Sequence, residues 1–98
     1  MKRAFDMVRF PNQTFSTSSG GNAIEFSFRT YKKIMYANVS VNGKLVCAGR
    51  PCLPNNRIFP KPIEILMGAS AMFVCENDDY PAYTLLGTPS CVFVMEDL

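Results

Sequence analysis

Residues 34–48, IMYANVSVNGKLVCA, contain Asn42-Gly43 between two runs of alternating residue type. Asn-Gly favours a two-residue type I′ turn, because both central positions of that turn need a positive φ, which Asn and Gly tolerate best. One face of the run before the turn is formed by four apolar residues, Met35, Ala37, Val39 and Val41. In the run after it, Leu45 and Cys47 alternate with Val46 and Ala48. A period of two places one face of a strand in a core, so this segment predicts a β-hairpin.

Short strands are also predicted on both sides of this hairpin. Alternating or continuous apolar runs predict extended segments over residues 5–10, 13–16, 23–31, 68–76 and 90–96. Turn residues separate them at 18–22, 32–33 and 77–79. Two prolines make residues 49–56 an edge or a loop. Residues 57–66 are expected to be irregular, with a short turn or strand at 63–66, and residues 80–88 form a loop or a distorted strand. No helical period lasts more than one turn, so the sequence predicts an all-β fold, a small antiparallel β-sandwich or barrel of about six to seven short strands.

Length and composition bound the class of protein. The 98 residues form one domain, residues 1–98, with 48% hydrophobic and 18% charged residues, which excludes a disordered chain. The low charge content suggests that partners cover part of the surface, and the net charge of +2 is too balanced to indicate nucleic acid by itself. No apolar run reaches the roughly 20 residues of a membrane span. Asp6 and Arg9 interrupt the only N-terminal candidate for a signal peptide, so we expect a reducing cytoplasm during folding, with thiols rather than disulfides.

The sequence offers little catalytic chemistry. It has no histidine, the usual general base and metal ligand, and no phosphate-binding glycine loop with its lysine. No catalytic residue, cofactor or metal site is therefore predicted. The four cysteines lack C-x-x-C spacing, and core packing is favoured over a disulfide or a zinc site for Cys47, Cys52, Cys75 and Cys91. A turn is favoured over a calcium loop for the acidic group Glu76, Asp78 and Asp79.

One alternative function comes from aromatic residues beside basic ones. A small β-barrel with such residues can stack single-stranded nucleic acid. The residues concerned are Phe26, Phe28, Tyr31 and Tyr36 beside Arg29, Lys32 and Lys33. Against this, Phe26 and Phe28 share a face with Ile24 and are expected in the core. A small nucleic-acid-binding barrel therefore stays open as an alternative.

Several short sequence signatures follow one another in a fixed order along the chain. The first is an aromatic–Pro–Asn-Gln-x-Phe element at Phe10, Pro11, Asn12, Gln13 and Phe15. The alternating strand at 24–31 and the Asn-Gly hairpin follow, leading through Leu45 and Gly49 to a Leu-Pro-Asn turn at 53–55. Late in the chain stands an Asp-x-Pro-x-Tyr-x-x-Leu-Gly element at Asp79, Pro81, Tyr83, Leu86 and Gly87, before an apolar closing strand at 91–95. In this order the chain resembles the small baseplate plug proteins of contractile-tailed bacteriophages, typified by a cyanophage plug.

The resemblance implies a structural virion protein and no enzymatic activity. It implies a protein that is made in the host bacterial cytoplasm and then occupies the tail axis of the baseplate. There a plug closes or adapts the junction between the tail tube and the hub–spike complex. The implied partners are the hub and spike proteins and the tail tube or tube initiator proteins. The resemblance also implies that the chain forms a homo-oligomer, a trimer, around the tail axis. No membrane partner is implied.

Five residues are candidates for partner contact. They are Arg50, Arg57, Phe59, Tyr80 and Tyr83. The first three lie on or beside the proline-rich segment 51–62, which is either a stiff docking arm or edge cover, or an ordinary surface loop. The tyrosines are candidates because tyrosine is favoured at interfaces where one end stays polar. Tyr83→Ala or Arg57→Ala is expected to weaken incorporation into particles and to leave the isolated fold intact.

Overall fold

The computed structural model describes residues 2–5, 7–76 and 80–97. Over these residues the chain forms two antiparallel sheets, with strand orders β2-β3-β4-β5 and β1-β7-β6, one short α-helix and a 3-10 helix at Tyr83–Leu85. The bounds are β1 Lys2–Phe5, β2 Gln13–Ser19, β3 Asn22–Tyr31, β4 Ile34–Val41, β5 Lys44–Pro51, α1 Lys61–Met67, β6 Ala69–Cys75 and β7 Cys91–Asp97. The predicted all-β class, with seven strands among the described residues, is confirmed.

The central hairpin forms as its sequence predicts. Asn42 and Gly43 have φ values of 52° and 83°, the left-handed geometry that this two-residue turn requires. Asn42 also pins the turn to the neighbouring hairpin, because its Oδ1 accepts a 2.9 Å hydrogen bond from the Ala23 N–H. The predicted buried face of β4 is confirmed, since Met35, Ala37, Val39 and Val41 are all buried.

Phenylalanines from both sheets form the core between them. Phe26 and Phe28 of β3 face Phe73 of β6 and Phe93 of β7, and none of the four is more than 1% exposed. Ring centroids lie 5.1 Å apart for Phe26 and Phe93 and 5.5 Å apart for Phe28 and Phe73. Each buried ring contributes about 1.5–3 kcal/mol through removal of apolar surface from water, so this cluster is a principal source of stability.

Two arginines bridge the gaps between the sheets. On one side, Arg3 of β1 donates a 2.9 Å hydrogen bond to the Ser18 carbonyl oxygen of β2. On the other side, Arg50 of β5 donates a 3.1 Å hydrogen bond to the carbonyl oxygen of Ile58. The Ile58 N–H in turn donates to the Ala71 carbonyl of β6, so Ile58 connects both sheets. The proline-rich segment therefore acts as an edge cover for β6, one of the two predicted roles.

Residues 57–66 were expected to be irregular, with a short turn or strand at 63–66, and this expectation is wrong for residues 61–66, which belong to α1. The sequence Lys61–Met67 forms α1 because Pro62 stands in the first turn, where its missing N–H breaks no helical hydrogen bond. Gly68 ends the helix in the left-handed region, with φ 63°, and its N–H donates to the Glu64 carbonyl. The prolines that argued against regular structure therefore help to begin a helix.

Two smaller expectations also need adjustment. The first strand was predicted over 5–10 but occupies Lys2–Phe5, because its pairing with β7 places Phe5 opposite Phe93 and the chain then crosses to the other sheet. Leu45 does not share the buried face of Cys47 and is 56% exposed, because the β4–β5 register shifts near Val39. The predicted turn at 77–79 lies outside the described residues.

Candidate interaction surface

The two candidate arginines make defined contacts within the chain. Arg50 reaches the Ile58 carbonyl, as described above, although its residue remains exposed. Arg57 donates from Nη1 to Oε1 of Glu64 at 3.2 Å, which makes an ion pair. The Glu64 side chain is 3% exposed, whereas that of Arg57 is 50% exposed. Both arginines therefore stabilise the fold, and each still presents part of its side chain to solvent.

The three aromatic candidates differ in exposure. Phe59 is 3% exposed, with its ring stacked 5.9 Å from that of Phe26, so it belongs to the core and offers no surface to a partner. In the sequence, a phenylalanine beside prolines is typical of an exposed residue that binds a partner. Here the hydrogen bond from the Ile58 N–H to the Ala71 carbonyl holds the segment against β6, and the Phe59 ring lies in the core. Tyr80 is 54% exposed. Tyr83 is half-buried against the core and lines a groove with Thr30 and Lys33.

An exposed apolar group lies at the Tyr31 end of β3. We call Val8, Phe10 and Tyr31 the aromatic patch, and they are 52%, 63% and 64% exposed. Gln13 Nε2 fixes its loop by donating to the carbonyl oxygens of Val8 at 2.7 Å and Phe10 at 3.1 Å. Thr30 ties the same loop to β3, since its hydroxyl donates to the Pro11 carbonyl at 2.8 Å. The aromatic–Pro–Asn-Gln signature is therefore a brace that holds Phe10 outward.

The late signature has a structural role in the core. Pro81 and Leu86 are almost fully buried. Gly87 has φ 78°, and a Cβ at this position would lie 3.4 Å from the Met7 carbonyl oxygen. Glycine is therefore favoured here by its backbone conformation, and the added atom would also be in close contact. The first residue of the signature, Asp79, lies outside the described residues.

A second apolar group was not predicted. We call Val46, Ile63, Ile65 and Leu66 the helix patch, of which Val46 and Ile63 are half-buried against the core. Val46, Ile63 and Leu66 line one groove with Asn22 and Lys44, at the opposite end of β3 from Tyr31. Ile65 and Leu66 on α1 are 71% and 61% exposed. The available signal was the pair Pro62 and Gly68 around an apolar run, a start and stop for a short helix.

Two of the aromatic residues proposed to stack on nucleic-acid bases are not accessible in the structure. Phe26 and Phe28 are fully buried, so they cannot stack on bases. Tyr31 is exposed, with Lys32 Nζ 5.5 Å from its ring centroid. Of the four aromatic residues named for this alternative, Tyr31 is thus exposed and Tyr36 is half-buried, which is a weaker basis for strand binding than the successive stacking rings that such proteins use.

The cysteines lie in the core, as predicted. All four are buried thiols. Burial, the largest cause, raises the pKa of Cys52 and of Cys91 to about 12, so neither thiol ionises near neutral pH. Within residues 2–5, 7–76 and 80–97, no three His, Cys, Asp or Glu residues are grouped as metal ligands. None of the described helices has the length and apolar character needed to cross a membrane.

Comparison with known proteins places the chain in a family. Among curated proteins, none shows a significant match to this sequence. A protein family described as "Cyanophage baseplate Pam3 plug gp18" matches residues 4–97, which is nearly the whole chain. The match includes both signatures and both exposed patches. The chain therefore belongs to the cyanophage baseplate Pam3 plug gp18 family.

Proposed function

We propose that this chain is a non-catalytic structural part of a phage tail baseplate that closes or adapts the junction between the tail tube and the hub–spike complex. In this role it is built into the virion after synthesis in the host cytoplasm. It contacts hub and spike proteins on one side and tube or tube initiator proteins on the other, in three copies around the axis of a contractile tail. Family membership supports the baseplate role.

The observation that carries the junction role is the position of the two exposed patches. The aromatic patch lies where β3 ends, and the helix patch lies where β3 begins. β3 has ten residues, which at about 3.3 Å per residue span about 30 Å. The longest dimension of the molecule is 31 Å. A rigid domain with an apolar contact at each end can join two larger components.

The candidate residues divide between these two ends. Tyr83 lines a groove with Thr30 and Lys33, beside the end of β3 that carries the aromatic patch. Arg57 is paired with Glu64 on α1, the helix that carries Ile65 and Leu66. We propose Tyr83 as a contact of the first end and the exposed part of Arg57 as a contact of the second. Arg50 and Tyr80 stay candidates, whereas the burial of Phe59 gives it no part in the proposal.

Incorporation into purified particles tests this proposal. Phe10→Lys and Leu66→Lys each place a charge in one patch, and Thr14→Lys changes an exposed position on β2 outside both. We expect each patch variant to be incorporated about tenfold less, as for the loss of an interface anchor worth about 1.4 kcal/mol, and Thr14→Lys to be incorporated normally. Mass spectrometry of particles measures the amount, and unchanged urea midpoints show that the variants fold.

Two results would contradict the proposal at different levels. Normal incorporation of either patch variant would refute the two-ended arrangement. Particles that assemble and deliver DNA normally without this chain would refute the plug role itself. A density map of the tail tip tests the copy number, for which we expect three.

A further inference from the structure

Three thiols meet at one end of the sheet formed by β6 and β7. Cys75 ends β6, Cys91 begins β7, and the two are direct partners in the antiparallel register. Burial is the main cause of the raised pKa of Cys52, and the Cys91 and Cys75 thiols add to it, so Cys52 lies near both. Cys47 belongs to the other sheet, on β5, where it lies opposite Val39 of β4.

The backbone hydrogen bonds define the kind of pair that Cys75 and Cys91 form. The next pair along, Glu76 and Ser90, is a hydrogen-bonded pair, because the Glu76 N–H donates to the Ser90 carbonyl at 3.2 Å. Such pairs alternate along an antiparallel ladder, so Cys75 and Cys91 are a pair without mutual backbone bonds. In agreement, the Cys75 N–H donates away from β7, to Oδ1 of Asn55 at 3.0 Å.

This type of pair has the geometry that a disulfide needs. Its Cα atoms are about 4.5 Å apart and its side chains are closer than in the hydrogen-bonded type. Disulfides span Cα separations of about 4.4–6.8 Å. The Cys75 and Cys91 side chains share a hydrogen bond, and both residues are buried on the same face of the sheet. The thiols therefore need little backbone movement to join.

We propose that Cys75 and Cys91 are a site of oxidative cross-linking and form an intramolecular disulfide when the folded protein meets glutathione disulfide. Both thiols are buried, so the reaction requires a local opening of the strand ends, in which one cysteine loses its proton and becomes accessible. Its thiolate attacks glutathione disulfide and releases one glutathione thiolate. The second cysteine, as its thiolate, attacks the mixed disulfide, forms the S–S bond and releases the second glutathione. Two thiols are oxidised, two electrons pass to glutathione disulfide, and the two protons end on the two glutathiones. The site does not depend on the baseplate role.

The disulfide would restrain the segment that it closes. Residues 76–90 lie between the two cysteines and contain the 3-10 helix Tyr83–Leu85. Closing a loop of about 15 residues raises the ratio of folded to unfolded chain on the order of 100-fold. A protein that folds in a reducing cytoplasm would thus gain stability after release into an oxidising environment.

Tryptic digestion distinguishes the possible pairings without any variant. Cleavage after Lys44 and Arg57 gives one peptide, 45–57, with Cys47 and Cys52, and a second, 58–98, with Cys75 and Cys91, because Arg50 and Lys61 each precede proline and are not cleaved. The folded protein is incubated for hours with glutathione disulfide near pH 8, then acid-quenched, denatured and alkylated. We expect peptide 58–98 to lack alkyl groups and to be two hydrogens lighter, and peptide 45–57 to carry two. The urea midpoint should rise by the equivalent of about 100-fold in the folding equilibrium.

Two variants complete the test. Cys91→Ala should form no intramolecular disulfide and should stop at a mixed disulfide of Cys75 with glutathione, whereas Cys47→Ala, the matched control, should lose two thiols to the disulfide as the wild type does. Full alkylation of peptide 58–98 after oxidation would overturn the proposal. So would a covalent link between the two peptides, because that product joins Cys52 or Cys47 instead.

Discussion

Replacing Arg57 with methionine is expected to destabilise the fold more than replacing its partner Glu64 with leucine. Arg57 Nη1 lies 3.2 Å from Glu64 Oε1, and the Glu64 side chain is 3% exposed. Glu64 Oε2 is also buried and has no hydrogen-bond partner among the described residues. Without Arg57, a buried carboxylate keeps no cationic partner among the residues that the structure describes. Without Glu64, the half-exposed guanidinium is still solvated by water.

The exposure of the two side chains sets the magnitude. Loss of one partner from a fully buried ion pair costs about 3–5 kcal/mol, because the remaining charge is left uncompensated. The Arg57 side chain is 50% exposed, so solvent already screens part of the interaction. We therefore expect Arg57→Met to cost about 1–3 kcal/mol, the range for a buried acceptor that loses its donor. Glu64→Leu should cost less than about 1 kcal/mol, since it removes the buried charge itself.

Urea unfolding of the purified domain measures this difference. With a denaturant dependence of about 1–3 kcal/mol per molar urea, a loss of about 2 kcal/mol lowers the midpoint by about 1 M. The double variant should be more stable than Arg57→Met alone, which gives a favourable coupling energy in the cycle. Arg29→Met, at an exposed position on β3, serves as the control and should shift the midpoint little.

Two outcomes would refute the reasoning. Equal losses for Arg57→Met and Glu64→Leu would show that the carboxylate is not the group left uncompensated. An unchanged midpoint for Arg57→Met would show that the ion pair adds nothing to stability. The expectation from sequence that Arg57→Ala leaves the isolated fold intact is revised accordingly, and a loss of incorporation by such a variant needs a stability measurement beside it.

Two further predictions concern the β6–β7 end of the molecule. Asn55→Ala removes two hydrogen bonds between the Asn55 side-chain amide and the Cys75 backbone, of 3.0 Å and 3.2 Å. At about 0.5–1.5 kcal/mol for each bond, the variant should lose about 1–3 kcal/mol of unfolding free energy. The urea midpoint should therefore fall, and an unchanged midpoint would contradict the prediction. Under reducing conditions, stability should fall as pH rises above about 9. The folded chain keeps the protons of Cys52 and Cys91, whose pKa is raised from 9.0 to about 12 by burial, whereas the unfolded chain releases them. The unfolding free energy should fall by about 1 kcal/mol per thiol at pH 10. A folded Cys52→Ala variant should lose less stability than the wild type over the same pH range, and equal losses would contradict the prediction.

The sheet of four strands could be predicted in detail because its information is local. Each of its hairpins has turn residues between runs of period two, and the buried set of β4 follows from that period alone. The Asn42-Gly43 turn then fixes the register of its own hairpin, so that Val41 of β4 lies opposite Lys44 of β5. Where turn and alternation agree, pairing partners are neighbours in sequence and little else is needed.

The remaining elements depend on contacts distant in sequence. β1 ends at Phe5 because it pairs with β7, roughly ninety residues later. The helix α1 was missed because prolines were interpreted as helix breakers, although in the first turn they are compatible with a helix. Arg50 donates its hydrogen bond to a backbone carbonyl, and the residue types in a sequence do not show which backbone carbonyl lies near a given side chain. The same limit explains why Phe59 was interpreted as a contact residue and is instead part of the core.

The arrangement of hydrogen bonds at the sides of the sandwich argues for contact through its ends. A neighbour that added a strand along the full length of β2 would displace Arg3 from the Ser18 carbonyl, and one that added along β5 would meet the segment that Arg50 holds through Ile58. Exposed strand edges recruit other strands unless something occupies them, and here the chain's own arginines do so. The apolar surface that remains outside the core includes the aromatic patch and the helix patch, at opposite ends of β3. A domain with protected sides and apolar ends is suited to stack between two partners, which is the geometry that the proposed role between tube and hub requires.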